Sequence, residues 1–169
     1  MLIPDNQESA CIFTRFQPHY QEVVHNLILA GLADHWGTID PTLNPDLNDI
    51  HTNYLLTGAF VLVALQNDKV VGTGILIEDD GSMVLPAHPS NMPRKFGRIV
   101  RMSVDRMQRR TGIGSRIVQL LISEARTRGY AAVLIETNND WYDAIGLYTH
   151  AGFSEYARDS ESVYLVRYL

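Results

Sequence analysis

Apolar and polar positions recur along the chain in two rhythms, and the changes of rhythm mark out the elements. Residues 11–16 (CIFTRF) read as a short strand. Pro18 then opens a helical pattern in which Val23, Val24, Leu27, Ile28 and Leu32 share one face, ended by Trp36 and Gly37. A loop with Pro41 and Pro45 leads to Asp46, placed to cap a second short helix carrying Leu47, Ile50, Tyr54 and Leu55. Strands are expected over residues 59–65 and 70–77, joined by a tight hairpin at Asn67-Asp68. Asp79-Asp80-Gly81 closes the second of them, and residues 82–94, with three prolines, read as a long loop.

The second half is more regular. Phe96 to Val104 is a strand, and a helix from Thr111 carries the apolar stripe Ile113, Ile117, Leu120, Leu121 and Ala125, with Glu124 and Arg128 as an i,i+4 pair. Gly129 suits the left-handed position after that helix. Residues 131–135 are continuously apolar, as in a strand buried on both faces. A helix over 140–150, closed by Gly152, precedes β segments at 153–158 and 162–168. The order implies an α/β (mixed α+β) fold, with a mixed sheet and helices on its faces. The strand–helix–strand unit from Phe96 to Ile135 should be a parallel crossover.

At 169 residues, with no repeat or linker, the chain is expected to form a single domain over 1–169. No apolar run approaches the roughly 20 residues of a membrane span. Residues 1–6 lack the cationic start and apolar core of a signal peptide. Cys11 is the lone cysteine, so no internal disulfide forms, and a reducing cytoplasm is the expected compartment. His19, His25, His35, His51, His88 and His150 show no ligand spacing, so no metal is expected. The net charge of −5 argues against a general nucleic-acid binder. The mean conceals an asymmetry: residues 94–116 hold eight of the basic residues and one acid, Asp105, whereas residues 1–93 hold eleven acids and two bases. A nucleic-acid adaptor using the basic run is thus a third-rank alternative.

That run coincides with a turn of distinct chemistry. After Val104 the chain reads Asp105-Arg106-Met107-Gln108-Arg109-Arg110-Thr111-Gly112-Ile113-Gly114-Ser115. Glycines at 112 and 114 allow close backbone approach, and the new helix directs its unpaired N–H groups to the same place. With Arg109 and Arg110 alongside, this is an anion site suited to a phosphorylated cofactor. An NTPase phosphate loop would need lysine after its glycine, and Ser115-Arg116 follow Gly114. A dinucleotide fingerprint would need a third glycine where Ile117 stands.

Arg109-Arg110-Thr111-Gly112-Ile113-Gly114 fits the Arg/Gln-x-x-Gly-x-Gly/Ala signature of the GNAT superfamily of N-acetyltransferases, which the sequence resembles. Residues 144–153 (AIGLYTHAGF) are similar to a second segment of that family. The resemblance covers residues 58–169 well, and the first 57 only in the order of their elements. It implies a splayed central sheet of six or seven strands and acetyl-CoA as the cofactor. Met102, Ser103 and Val104 would then lie along the pantetheine arm, with Met102 and Val104 offering backbone groups. The amides of Arg109, Arg110, Thr111, Gly112, Ile113 and Gly114, with Ser115 beside them, would hold the pyrophosphate. Tyr148 would be the general acid. Many relatives carry asparagine where Trp141 stands, and Asn138 and Asn139 are out of register.

The implied reaction is direct attack of a primary amine, small-molecule or peptide, on the thioester, with a backbone N–H such as that of Val104 stabilising the oxyanion. A catalytically silent acyl-CoA-binding or regulatory module is the alternative. Glu136 is the first candidate base, with Glu78, Asp79 and His88 behind it, and a water chain would also serve. Trp36, His35, Tyr54 and Trp141 could line the acceptor pocket, and the acidic first half suits a cationic amine. No nucleic acid or membrane partner is expected, and a homodimer is possible.

Overall fold

The structure, a computed structural model, describes residues 10–83 and 95–169. Among the described residues seven strands form one open sheet: β1 (Ile12–Arg15), β2 (Phe60–Gln66), β3 (Lys69–Glu78), β4 (Phe96–Val104), β5 (Ala132–Asn138), β6 (Ser154–Arg158) and β7 (Ser162–Tyr168), in the order β1-β2-β3-β4-β5-β7-β6. Every neighbouring pair is antiparallel except β4 and β5, which run parallel as the crossover pattern requires. The mixed, helix-covered sheet expected from the sequence is present.

Local chemistry explains the ends of these elements. Asn67 and Asp68 both adopt positive φ (50° and 59°), the requirement of a two-residue hairpin that matches strand twist. α1 (Gln21–Trp36) stops at Gly37, whose N–H donates to the Ala33 carbonyl at 2.8 Å. α2 (Ile113–Thr127) and α3 (Tyr142–His150) cover one face of the sheet, and α1 covers part of the other. On the α2 face Ile117, Val118, Leu121, Ile122 and Ala125 pack over Leu62, Leu76, Ile99 and Val133. On the α1 face Val24, Ile28, Leu47, Ile50 and Tyr54 pack over Val61, Val63, Ile75 and Val100. Burial of Ala132, Val133, Leu134 and Ile135 at 1% exposure or less confirms the two-sided strand.

Two expectations need correction. The helix forecast after Asp46 is a 3₁₀ turn, Pro45–Asp49, followed by a π-helical turn, His51–Leu55. Asp46 lies inside the first turn and caps nothing, because its carboxylate is engaged by Arg101 and Tyr54. The α1 stripe is also rotated: Val24 and Ile28 are buried, whereas Val23 is exposed. The loop forecast for 82–94 falls, beyond Met83, outside the described residues.

α1 sits very close to β4. A Cβ added at Gly31 would lie 2.5 Å from Ser103 Oγ, which donates to the Leu27 carbonyl at 2.9 Å. Gly31→Leu should therefore lower stability by about 1–3 kcal/mol, the usual cost of overpacking. Chemical denaturation would show it as a lower midpoint, and an unchanged midpoint would contradict the close packing.

Candidate active site

β4 and β5 are paired only over Phe96–Arg98 against Ala132–Leu134. Beyond that β4 runs on to Val104, while β5 stays bonded to β7 as far as Asn138↔Ser162. The two parallel strands thus part into a wedge at their carboxyl ends, where open α/β sheets place ligands. A bulge helps to open it. The β3–β4 register steps from Thr73↔Ser103 to Ile75↔Val100, so Arg101 and Met102 together oppose Gly74, and Arg101 takes a φ of 54°. Met102 packs its sulfur over Gly74, where a Cβ would come within 2.5 Å.

The turn after β4 lies at the mouth of this wedge. Asp105 donates its N–H to the Val71 carbonyl and accepts from the Met107 N–H, fixing a 3₁₀ turn at Arg106–Gln108. The chain then passes through positive φ at Arg110 (66°) and Gly112 (90°) before α2 begins. Such alternation turns successive N–H groups inward as an anion-binding nest. No side chain caps α2: the Thr111 hydroxyl donates instead to the Gln108 carbonyl at 2.6 Å. Among the described residues, the N–H groups of Arg110 to Ser115 have no protein acceptor, and the first helical bond, Arg116 N–H to Gly112 carbonyl, comes after them. Six consecutive donors beside a helix N-terminus fit a diphosphate. The bend expected from the two glycines is present.

Arg109 stands differently from the other residues of the run. Its amide approaches the Arg106 carbonyl at 3.5 Å, its Nε donates to the Val104 carbonyl at 3.2 Å, and its guanidinium is ion-paired with Asp34 of α1. It braces the turn from behind. Of Val104's two backbone groups, the carbonyl is thereby occupied. Among the described residues most of the basic run is paired: Lys95 with Glu78, Arg98 with Glu136, Arg101 with Asp46 and Arg106 with Asp34. Arg110 and Arg116 remain exposed. Ser103 turns its hydroxyl away towards α1.

Tyr148, on α3, is 6% exposed and packs edge-on against Phe153 at 5.9 Å. Its hydroxyl has no hydrogen-bond partner among the described residues. Burial, reinforced by the Asp143 carboxylate, pushes its pKa above the ordinary tyrosine value. On the opposite face, Glu136 stands two residues past the last β4–β5 pair and accepts from Arg98 Nη2 (2.7 Å) and Ser162 Oγ (3.2 Å). Glu78 is tied to Lys95, Asp79 turns one oxygen to the Gly81 N–H, and His88 lies outside the described residues.

Three of the four aromatic residues named from the sequence come together. His35 stacks on Trp141 (4.1 Å, 17°) with Trp36 tilted beside it (5.1 Å), joining the end of α1 to the start of α3. Tyr54 is elsewhere, donating to Asp46 at 2.5 Å. Asn139 is spent on the β6–β7 turn, where it donates to the carbonyls of Asp159 and Ser160. Nothing in local spacing reports the ion pairs made by Asp34, Asp46 and Arg98, which join residues 38 to 75 positions apart.

The sequence profile of the acetyltransferase (GNAT) family matches residues 24–153. Over 118 residues the chain is 32% identical to N-acetyltransferase 8B of Homo sapiens, covering 69% of this chain and 48% of that protein. The chain spans about half the length of the curated relatives it matches. Its fold is shared with a GNAT-family acetyltransferase from Staphylococcus aureus Mu50 (TM-score 0.79, 23% identity, 95% of this chain and 99% of that one). It is shared also with the PaiA N-acetyltransferase from Thermoplasma acidophilum, solved in complex with coenzyme A (TM-score 0.71, 9% identity, 95% and 99%). With the wedge, the bulge and the uncapped turn in place, the chain belongs to the acetyltransferase (GNAT) family.

Proposed function

We propose that this chain is an acetyl-CoA-dependent N-acetyltransferase acting on a primary amine. The observation that carries the proposal is the row of six amides, Arg110 to Ser115, that lack a protein acceptor among the described residues and lie at the mouth of the β4–β5 wedge. Bound acetyl-CoA supplies an acetyl group activated as a thioester. The chain's own groups divide the remaining work. The six amides bind the pyrophosphate, and the exposed Arg110 adds a positive charge beside it. Backbone groups of Met102 and Val104 line the wedge beyond the paired part of β4, with the Val104 N–H serving as an oxyanion donor. Tyr148 holds its proton at Oη as a donor, since burial keeps the phenol neutral.

Glu136 receives the proton that the amine must lose. An alkyl ammonium, with a pKa of about 10.4, is neutral in only about one molecule in a few thousand at pH 7, so a nearby base changes the rate. Glu136→Gln keeps one acceptor oxygen for Arg98 and turns an NH2 donor towards the Ser162 hydroxyl, which can accept, so the fold should stay intact. Its kcat/KM should fall about 100-fold at pH 7, and the deficit should shrink towards pH 10, where free amine becomes abundant. A deficit that stays constant with pH would remove Glu136 from the role. The function itself is tested by thiol release from acetyl-CoA over a panel of primary amines and amino-terminal peptides. Release with at least one is expected, and release with none would contradict the reading.

A further inference from the structure

We propose that Arg101 is a positioning residue for the amine: it latches the segment from Asn44 to Tyr54 onto the bulge of β4 and so fixes the wall beside the Arg98–Glu136 pair. The inference rests on the acetyl-transfer reading above. Arg101 holds a φ of 54°, a conformation that non-glycine residues avoid unless their surroundings over-determine it. The surroundings here do so. Its Nη2 and Nε donate to the two carboxylate oxygens of Asp46 (2.7 and 3.0 Å), a fork-on-fork pair, and Nη1 donates to Asn44 Oδ1 at 2.8 Å. The Tyr54 hydroxyl closes the cluster on Asp46 Oδ2 at 2.5 Å. Burial, with help from Asp46, drives the Tyr54 phenol up to about 12, so it remains a donor throughout the assay range.

The latched segment has little regular structure of its own, only the short turns Pro45–Asp49 and His51–Leu55. A second polar tie comes from Gln21, whose side chain donates to the Leu47 carbonyl and accepts from the Ile50 N–H, both at 2.8 Å. Leu47, Ile50 and Tyr54 pack on the α1 face together with Val100. Two residues before Val100, Arg98 reaches Glu136 from β4. The segment therefore shares the α1 face of the sheet with Arg98 and Glu136, the face from which the reading above brings the amine. The cofactor-facing amides lie some ten residues further on, braced separately by Arg109 and Asp34. Loosening the latch should disturb the amine and spare the cofactor.

Arg101→Gly is the informative variant, because glycine keeps the positive φ while removing the guanidinium. With the amine that wild type uses fastest in the panel, KM should rise at least tenfold, with kcat within threefold and the Kd for coenzyme A within twofold. Asp46→Asn should act in the same direction, and the double variant should be no worse than the more impaired single one. A joint fall in kcat and cofactor affinity at unchanged KM, or no change at all, would overturn the proposal. Hydrogen exchange at the Leu47, Ile50 and Leu56 amides provides a readout independent of turnover. Exchange at least tenfold faster in Arg101→Gly, at unchanged coenzyme A affinity, is expected. Unchanged exchange would overturn the latch even if wild type transferred no acetyl group, an outcome that by itself would strike only the acetyl-transfer reading.

Discussion

Gly112→Val is expected to weaken coenzyme A binding at least 100-fold while leaving the melting temperature within a few degrees of wild type. Gly112 sits at φ 90°, and a β-branched residue there carries roughly 1–3 kcal/mol of strain. The chain escapes that strain by rotating the peptide, which turns donors of the nest away from the ligand. Each hydrogen bond to a charged group contributes about 1.5–3 kcal/mol, and losing two of them exceeds the ~2.8 kcal/mol of a 100-fold change. The stability cost is limited to what remains of that strain after the turn relaxes, because a Cβ at Gly112 would meet nothing within 4 Å. Gly114→Ala is the matched control. Gly114 does not adopt a positive φ, and its added Cβ would rest 3.5 Å from Leu147 and 3.6 Å from Val104, ordinary contacts. Its affinity should stay within tenfold. Titration calorimetry with thermal unfolding checks both variants, and equal losses in the two would argue against a conformational role for Gly112.

Tyr148→Phe should lower kcat about 100-fold with coenzyme A affinity unchanged, within the span typical of a positioned proton donor. The fold should not suffer, because the hydroxyl that is removed has no partner among the described residues. The direction of the pKa fixes the pH behaviour. Burial first, and Asp143 second, disfavour the phenolate, so the donor form persists beyond the pH near 10 where an ordinary tyrosine ionises. The wild-type to Tyr148→Phe ratio should therefore be flat from pH 7 to 10. A ratio that collapses between pH 9 and 10 would point to an unperturbed phenol, and an unchanged kcat would take Tyr148 out of the chemistry. A raised pKa also makes full proton transfer to a thiolate near 8.5 more uphill than the roughly 2 kcal/mol between ordinary values. Tyr148 is accordingly better suited to donating a hydrogen bond as charge develops than to releasing its proton early.

Much of the architecture is written in local pattern. The two-residue hairpin follows from Asn67 and Asp68, the buried central strand from the unbroken run at 131–135, and the anion-binding turn from two glycines between a strand and an amphipathic helix. What the pattern hides are choices made at a distance. Arg109 looks like a ligand-facing cation until Asp34, 75 residues earlier, claims it. Asp46 looks like a helix cap until Arg101, 55 residues later, takes both its oxygens. The bulge at Arg101 is equally silent, since the residues of β4 run on without a break while the register slips by one. The spacing of Leu47, Ile50, Tyr54 and Leu55 after Asp46 predicts a regular helix, whereas tertiary ties to Gln21 and Arg101 hold two short turns instead.

The most direct test follows the backbone amide resonances while coenzyme A is titrated into the protein. The amides of Arg110 to Ser115 should shift furthest and become protected from exchange at saturation, with Arg109, braced against Asp34, moving less. If those six amides stayed in place, whether the ligand bound elsewhere or did not bind, the turn after β4 would not be a diphosphate site.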